Sequence, residues 1–393
     1  MKLTIERAAL FRALGHVQSV VERRNTIPIL SNVLLRAEGG RLHLTATDMD
    51  LEIVEATPAI VETAGATTAP AHTLYDIVRK LPEGAQVEIS LNPNGKALSL
   101  RAGRSRFQLG CLDVADFPSM TGGDMPSTFV LPARGLRNLI DRTRFAISTE
   151  ETRYYLNGIY LHVGEFDGAP GLRAVATDGH RLARVQSTLP AGADGMPSVI
   201  VPRKTVLELR KLIEEAADPI QIALSETKVR FSFDHVVLTS KLIDGTFPDY
   251  ERVIPQGNDK MMEVDTKSFA AAVDRVATIA TEKTRAVKLA ITSGQLTLSA
   301  TSTDQGSATE ELEVDYGSDA LEIGFNSRYL LDIAGQIDSD RARFYMADGG
   351  SPTVIRDGGG ENGAEARAEG DDADETDIGP IDEAIYVLMP MRV

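Results

Sequence analysis

The chain has 393 residues, a net charge of −16, 42% hydrophobic and 25% charged residues, a single cysteine and no tryptophan. That length exceeds one ordinary domain and predicts two or three; the composition is that of a globular protein, with no apolar run near the roughly 20 residues of a membrane span. One cysteine excludes an intramolecular disulfide framework and fits a reducing cytoplasm, and Glu6 and Arg7 interrupt any leader-like apolar stretch at the start.

In chain order, the sequence predicts a helix-plus-strands unit repeated six times. A short alternating strand leads into a helix in KLTIERAALFRALGHV from Lys2, and strand-like runs follow in NVLLRAEGGRLHLTATDMD from Asn32. HTLYDIVRKL from His72 starts a second unit, followed by VEISLNPNGKALSLRAG. The third opens at TFVLPARGLRNLIDRTRFAI from Thr128, where Leu136, Leu139, Ile140 and Ala146 recur at helical spacing and Arg134, Arg137, Arg142 and Arg144 lie off that stripe. Its strands run through NGIYLHVGEFDGAPGLRAVATDGHRLA from Asn157. RKTVLELRKLIEEA from Arg203 starts the fourth unit, MEVDTKSFAAAVDRVATIA from Met262 the fifth, with Asp265-Thr266 as its N-cap, and SRYLLDIAGQI from Ser327 the sixth.

Two units make one repeat, so the pattern is threefold. Phe117-Pro118 and Phe247-Pro248 mark matching corners, and breaks near Pro126 and Pro255-Gln256-Gly257 divide the chain into 1–125, 126–254 and 255–393. Sequential strands joined by Gly-containing turns imply antiparallel sheets, each with one face covered by helices: an α+β fold of three similar domains. One stretch stands outside the repeat. Between Asp357 and Glu383 lie eleven acidic residues and one arginine, so this stretch carries −10 and the other 366 residues only about −6. Nearly devoid of large apolar side chains, the insertion at about 357–381 reads as a mobile loop. Charge arguments must therefore be local.

No catalytic pattern emerges. The six histidines stand in no metal-ligand spacing, and no nucleophile elbow, phosphate loop or dinucleotide fingerprint occurs. Cys111 lies in FQLGCLDV and reads as a buried, inert thiol. Asp178 and His180 could orient each other as acid and base, but no third group accompanies them. Asp48 stands at the matching place of the first repeat, so the acid reads as a turn residue. Neither a catalytic residue, a cofactor nor a metal site is expected.

Several long motifs occur together and in order: IPILSNVLL from Ile27, RYYLNG (Arg153 to Gly158), ATDGHRLA (Ala176 to Ala183), VIVPRK (Val199 to Lys204), TSKLIDGTFPDYERVIP (Thr239 to Pro255), GFNSRYLLD from Gly324 and MPMR (Met389 to Arg392). Together they resemble the bacterial DNA sliding clamps, the processivity subunits of DNA polymerase III, over all three repeats; only the acidic stretch falls outside. The resemblance implies a head-to-tail homodimer closed into a ring around double-stranded DNA, helices lining the hole and sheets forming the wall, with no chemistry of its own. Basic residues on the proposed helices become candidates for the lining: Arg7, Arg12, Arg134, Arg137, Arg142, Lys204, Arg210, Lys211, Lys267 and Arg275. Family similarity points to Arg24, Arg153, Tyr154, Tyr155, Arg203 and Lys204, with Arg137, as DNA contacts. His72-Thr73 and Glu150 depart from the family pattern at places where DNA contact is expected.

The resemblance also implies a pocket for short linear motifs, rich in Leu and Phe beside a Gln, of the polymerase alpha subunit, the clamp-loader delta subunit and repair proteins. Its matching positions here are Leu156, Thr177, Gly179, His180, Arg181, Leu182, Pro248, Arg252, Val253, Asn326, Tyr329, Val387, Met389, Pro390, Met391 and Arg392. Leu, Val, Met and Pro suit an apolar groove with a few orienting polar groups, and adaptable methionines suit several partners. No membrane partner is implied.

Overall fold

The computed structural model describes residues 1–23, 26–120, 122–166, 168–214, 216–217, 219–280, 285–359 and 383–392. Arg24 and most of the acidic insertion lie outside the described residues.

Six α-helices occur among the described residues, one for each predicted unit: α1 (Arg7–Gln18), α2 (Ala71–Lys80), α3 (Ala133–Arg144), α4 (Arg203–Leu212), α5 (Thr266–Ala277) and α6 (Ser327–Ala334). Their start signals are local. Asp265 caps α5 by accepting the Ser268 N–H at 2.8 Å, as its sequence predicts, and Asn326 caps α6 by accepting that of Arg328 at 3.0 Å. The apolar stripe of α3 is buried through Leu136, Leu139 and Ile140. Each helix start follows a short strand, so strand and helix share one apolar side.

The chain packs as two compact units: Met1–Ala133 with Pro190–Pro197 and Lys204–Leu242, and Arg134–Leu189 with Ser198–Arg203 and Ile243–Val393. The middle repeat therefore contributes to both. The reason is strand pairing. In the first unit Val236–Lys241 pairs antiparallel with Leu51–Pro58, placing strands of the middle repeat in one eight-stranded sheet with those of the first. In the second unit Arg181–Thr188 pairs with Glu383–Leu388 inside a nine-stranded sheet. The first unit also holds a five-stranded sheet ending on Ser105–Gly110, and the second a four-stranded sheet ending on Gly306–Glu313. Every strand pairing among the described residues is antiparallel, as the Gly turns predict.

Burial alternates along the strands in the way period-two patterning requires: Arg41–Thr47 buries Leu42, Leu44 and Ala46, and Lys228–Phe233 buries Val229, Phe231 and Phe233. One expectation fails. Cys111 is half-buried rather than buried, because the strand that was expected to carry it ends at Gly110.

Candidate functional site

The three repeats share one turn. In the first, the Asp48 carboxylate accepts the N–H groups of Asp50 at 2.9 Å and Leu51 at 2.7 Å; in the second, Asp178 accepts those of His180 at 2.9 Å and Arg181 at 3.0 Å. The third uses the Ser302 hydroxyl, a longer acceptor for Asp304 and Gln305 at 3.4 and 3.3 Å. In the first two, the preceding threonine accepts the N–H of the left-handed residue, Met49 (φ 78°) or Gly179 (φ 86°). Asp178 is thus a turn residue, as the sequence predicts. Its carboxylate serves the backbone and Arg181, while the His180 ring stacks on Tyr329 with centroids 6.4 Å apart. These two groups do not form an acid–base pair.

Around this turn, in the second unit, the candidate pocket residues assemble. Leu182 pairs with Val387 across adjacent strands, and both join Leu156 in a buried cluster with Val175, Ile200, Phe247, Tyr250, Ile254, Val354 and Ile385. The terminal segment is stitched on by backbone bonds, Met389 N–H to the His180 carbonyl at 2.9 Å and Met391 N–H to that of Gly324 at 2.7 Å. Met389, Pro390 and Met391 remain half-exposed, with Arg392 exposed. Pro248, Arg252 and Val253 are exposed on the corner anchored by Phe247 and Tyr250, and Arg252 pairs with Asp249 at 2.7 Å. Apolar floor and half-exposed methionines together make a surface able to take apolar side chains.

Two candidates differ from simple lining. Asn326 spends its side-chain oxygen on the α6 cap. Arg181 is buried: its guanidinium ion-pairs with Asp178 at 3.1 Å and with Asp332 of α6, and lies 4.3 Å from the Tyr329 ring centroid and 5.1 Å from that of Phe145. It joins α6 to the turn, and the phenol of Tyr329 is pushed up in pKa by burial. Sequence reading missed Tyr250, Phe247 and Val175, which complete the floor; the apolar alternation of RAVATD was the available signal for Val175.

The candidate DNA contacts are more dispersed. Arg153 is exposed and pairs with Glu150 at 3.4 Å; Tyr154 is 54% exposed and meets Tyr155 edge-on at 5.8 Å. Arg153 Nη1 would lie 2.8 Å from a Cβ added to Gly179, so this short 3-10 segment, Glu151–Leu156, adjoins the pocket turn. Arg203 is exposed at the first position of α4, and Arg137 is half-buried on α3. Lys204 differs from the expectation: its ammonium is held by the Asp48 carboxylate, with Glu22 at 3.6 Å and the Val20 carbonyl at 3.4 Å.

Several expected lining residues are likewise engaged in structure. Arg142 is largely buried against Asp338 and Asp357, because the α3 end packs on those acids. Arg7 donates to the Val78 and Arg79 carbonyls at 3.1 and 2.7 Å, satisfying the C-terminal end of α2, and covers Phe11. Arg275 pairs with Glu310 through two nitrogens, which holds that carboxyl below its ordinary range. Lys267 and Lys211 are exposed, each beside one acid, Asp340 at 3.4 Å and Glu208 at 2.8 Å. Arg210 lies 3.7 Å from Glu214, and Arg12 and Arg134 are exposed. Among the described residues no cluster of His, Cys, Asp and Glu has metal-binding geometry, and no helix is long and apolar enough to cross a membrane.

Comparison with known proteins accounts for the whole chain. Family models of the DNA polymerase III beta subunit match in succession: the N-terminal domain over 1–121, the central domain over 130–249 and the C-terminal domain over 251–366. The beta sliding clamp of Caulobacter vibrioides is 54% identical, covering all of both chains. Among solved structures, a sliding clamp (DNA polymerase III subunit beta) from Bartonella birtlesii bound to griselimycin superposes with a TM-score of 0.91 at 52% identity, and Caulobacter crescentus pol III beta with 0.89 at 53%, each over the whole of both chains. The chain therefore belongs to the DNA polymerase III beta subunit family, the DNA sliding clamps, which serve that polymerase without catalysis of their own.

Proposed function

We propose that the chain forms one half of a head-to-tail homodimeric ring on duplex DNA, built from domains 1–125, 126–254 and 255–393, and tethers the replicative polymerase to its template. The full-length likeness to beta sliding clamps carries this reading. Two edge strands support the head-to-tail closure. Ser105–Gly110 ends its sheet with Arg106 exposed and Arg104 beside it; Gly306–Glu313 ends another with Glu311 and Glu313 exposed. An open edge is a template for pairing with another chain, and opposite charges select the partner.

DNA would be held topologically by a sequence-independent field. Arg153, Tyr154, Tyr155, Arg203, Arg137 and Arg24 are the proposed contacts; Lys204 joins them only when phosphate displaces Asp48. Such basic groups act within about 10 Å at moderate salt, so a net acidic chain is compatible with the task. The surface around Leu156, Leu182, Val387 and Met389 is proposed to receive linear motifs of the polymerase alpha subunit, the clamp-loader delta subunit and repair proteins. The Bartonella relative bound to griselimycin supports a ligand site on this fold. The cytoplasm is the proposed location.

The deciding experiment loads the protein onto nicked circular DNA with a clamp loader and then linearises the circle. Retention on the circle and loss after cutting is the expected result; equal retention on both would sink the ring.

A further inference from the structure

A row of polar side chains crosses the nine-stranded sheet beside the pocket floor, on the face that carries Val175, Leu182 and Val387. His162, Arg173 and Gln186 are register neighbours on three adjacent strands. Arg173 is only 4% exposed, yet each of its three guanidinium nitrogens has a partner. Nε donates to Gln186 Oε1 at 2.5 Å, Nη1 to Glu251 Oε1 at 2.5 Å and to the Tyr250 hydroxyl at 3.3 Å, and Nη2 to the Glu165 carbonyl. Two glycines make the room. A Cβ on Gly164 would overlap the Arg173 side chain, and one on Gly171 would stand 2.8 Å from Gln186 Nε2.

The row continues into the rim. His162 Nδ1 lies 2.9 Å from the Val163 carbonyl, which only accepts, so Nδ1 carries the proton. Burial holds the His162 pKa down and so favours the neutral ring, whose Nε2, with the proton on Nδ1, accepts from the Tyr250 hydroxyl at 3.1 Å. Tyr250 and Glu251 begin the 3-10 turn Tyr250–Val253, whose later residues Arg252 and Val253 are exposed at the candidate pocket. Tyr250 itself belongs to the floor cluster with Leu182 and Val387.

We infer that Arg173 is a positioning residue for the partner-binding pocket: through Glu251 and Tyr250 it fixes the turn that presents Val253, without touching a partner. This rests on the pocket reading above. A site placed on a short turn is only as well defined as the groups that hold it from behind. Glu251 is the accessible end of this linkage, its side chain 58% exposed, so it can be altered without opening the core.

The test measures binding of a fluorescein-labelled decapeptide, with Leu and Phe following a Gln, to the full chain. Glu251→Ala, which removes the acceptor of Arg173 Nη1, is expected to weaken it about tenfold, the size of one well-made contact, mainly through faster dissociation, and Glu251→Gln, which keeps an acceptor oxygen, should recover much of the affinity. In the free protein the Val253 methyl NMR signals should move, while the melting temperature stays near that of the parent. Arg173→Met should weaken binding at least as much; if it fails to fold, Glu251→Ala decides alone. Val387→Ser, which alters the floor directly, is the control. Loss of binding in Val387→Ser with unchanged affinity in Glu251→Ala overturns the positioning role. Unchanged binding in Val387→Ser overturns the pocket reading, and the inference with it.

Discussion

The ammonium of Lys204, at the second position of α4, is held by the carboxylate of Asp48 in the shared turn of the first repeat. The same ammonium reaches the Val20 carbonyl just beyond α1. A cation so placed must give up these partners to meet a phosphate, and its neighbour Arg203 is left as the exposed charge. Replacing Lys204 by Met should cost about 1 kcal/mol of stability, a charged hydrogen bond discounted for partial exposure. In DNA-binding titrations against salt, each lost phosphate contact flattens the log–log slope by about 0.9. Arg203→Met should show that change and Lys204→Met less than half of it; the reverse order would restore Lys204 as a primary DNA contact.

Asp178→Ala removes the acceptor of two backbone N–H groups and one of the two carboxylates holding Arg181. A destabilisation of about 1–2 kcal/mol is expected from the unsatisfied turn, with weaker peptide binding because Arg181 and Tyr329 lose their fixed stack. Asp178→Asn retains a side-chain acceptor and should recover most of the stability. Thermal melts of the pair and peptide titrations measure both effects, and an alanine variant as stable as the asparagine one would remove the turn argument.

Much of this was legible in sequence because it is local. Helix starts, Gly turns, period-two burial and the Asp48–Asp178 correspondence depend on residues close together in the chain, and all six helices lie where their patterns put them. The partners of the arginines were not legible. Arg142 meets Asp338 and Asp357, and Arg173 meets Glu251, through contacts of long sequence separation that no spacing encodes. A basic residue off an apolar stripe looks solvated in sequence; whether an acid from a distant strand covers it is decided by tertiary packing. The candidate pocket positions came mainly from resemblance, since Leu182 and Val387 become neighbours only through pairing across about half the chain.

Glu52 gives the fold a pH dependence of known sign. It is 2% exposed, and burial raises its pKa above the ordinary value of 4.5, while it accepts the Met120 N–H at 3.1 Å. A raised carboxyl pKa means the folded protein holds the proton more tightly than the unfolded chain. Stability therefore falls as pH rises from 4.5 through the folded pKa, and above that window the ionised group opposes folding. Glu52→Gln keeps an acceptor for Met120. The nearby cations retain other partners, Lys228 the Met120 and Gly122 carbonyls and Arg230 the Thr239 hydroxyl. Melting curves from about pH 4 to about pH 8 should show the glutamine variant gaining on the parent as pH rises. A gap that narrows instead would mean that Lys228 and Arg230 outweigh desolvation.

Charge reversal can examine the proposed ring closure. If the edge Ser105–Gly110 meets the edge Gly306–Glu313 of a second copy, Arg106→Glu sets like charges against Glu311 and Glu313, which are exposed on the latter strand. Exposed pairs contribute about 0.2–1 kcal/mol each. Because a head-to-tail dimer has two equivalent junctions, the dissociation constant should rise by about one to two powers of ten. Glu311→Arg alone should act in the same direction by facing Arg104 and Arg106. The double variant restores opposite signs and should recover much of the affinity, which distinguishes pairing between these edges from a general effect of net charge. Sedimentation velocity at low salt reads all three variants, and at about 1 M salt, where the screening length is about 3 Å, their differences should collapse. Single reversals that leave the dimer unchanged at low salt would place the junction elsewhere on the chain.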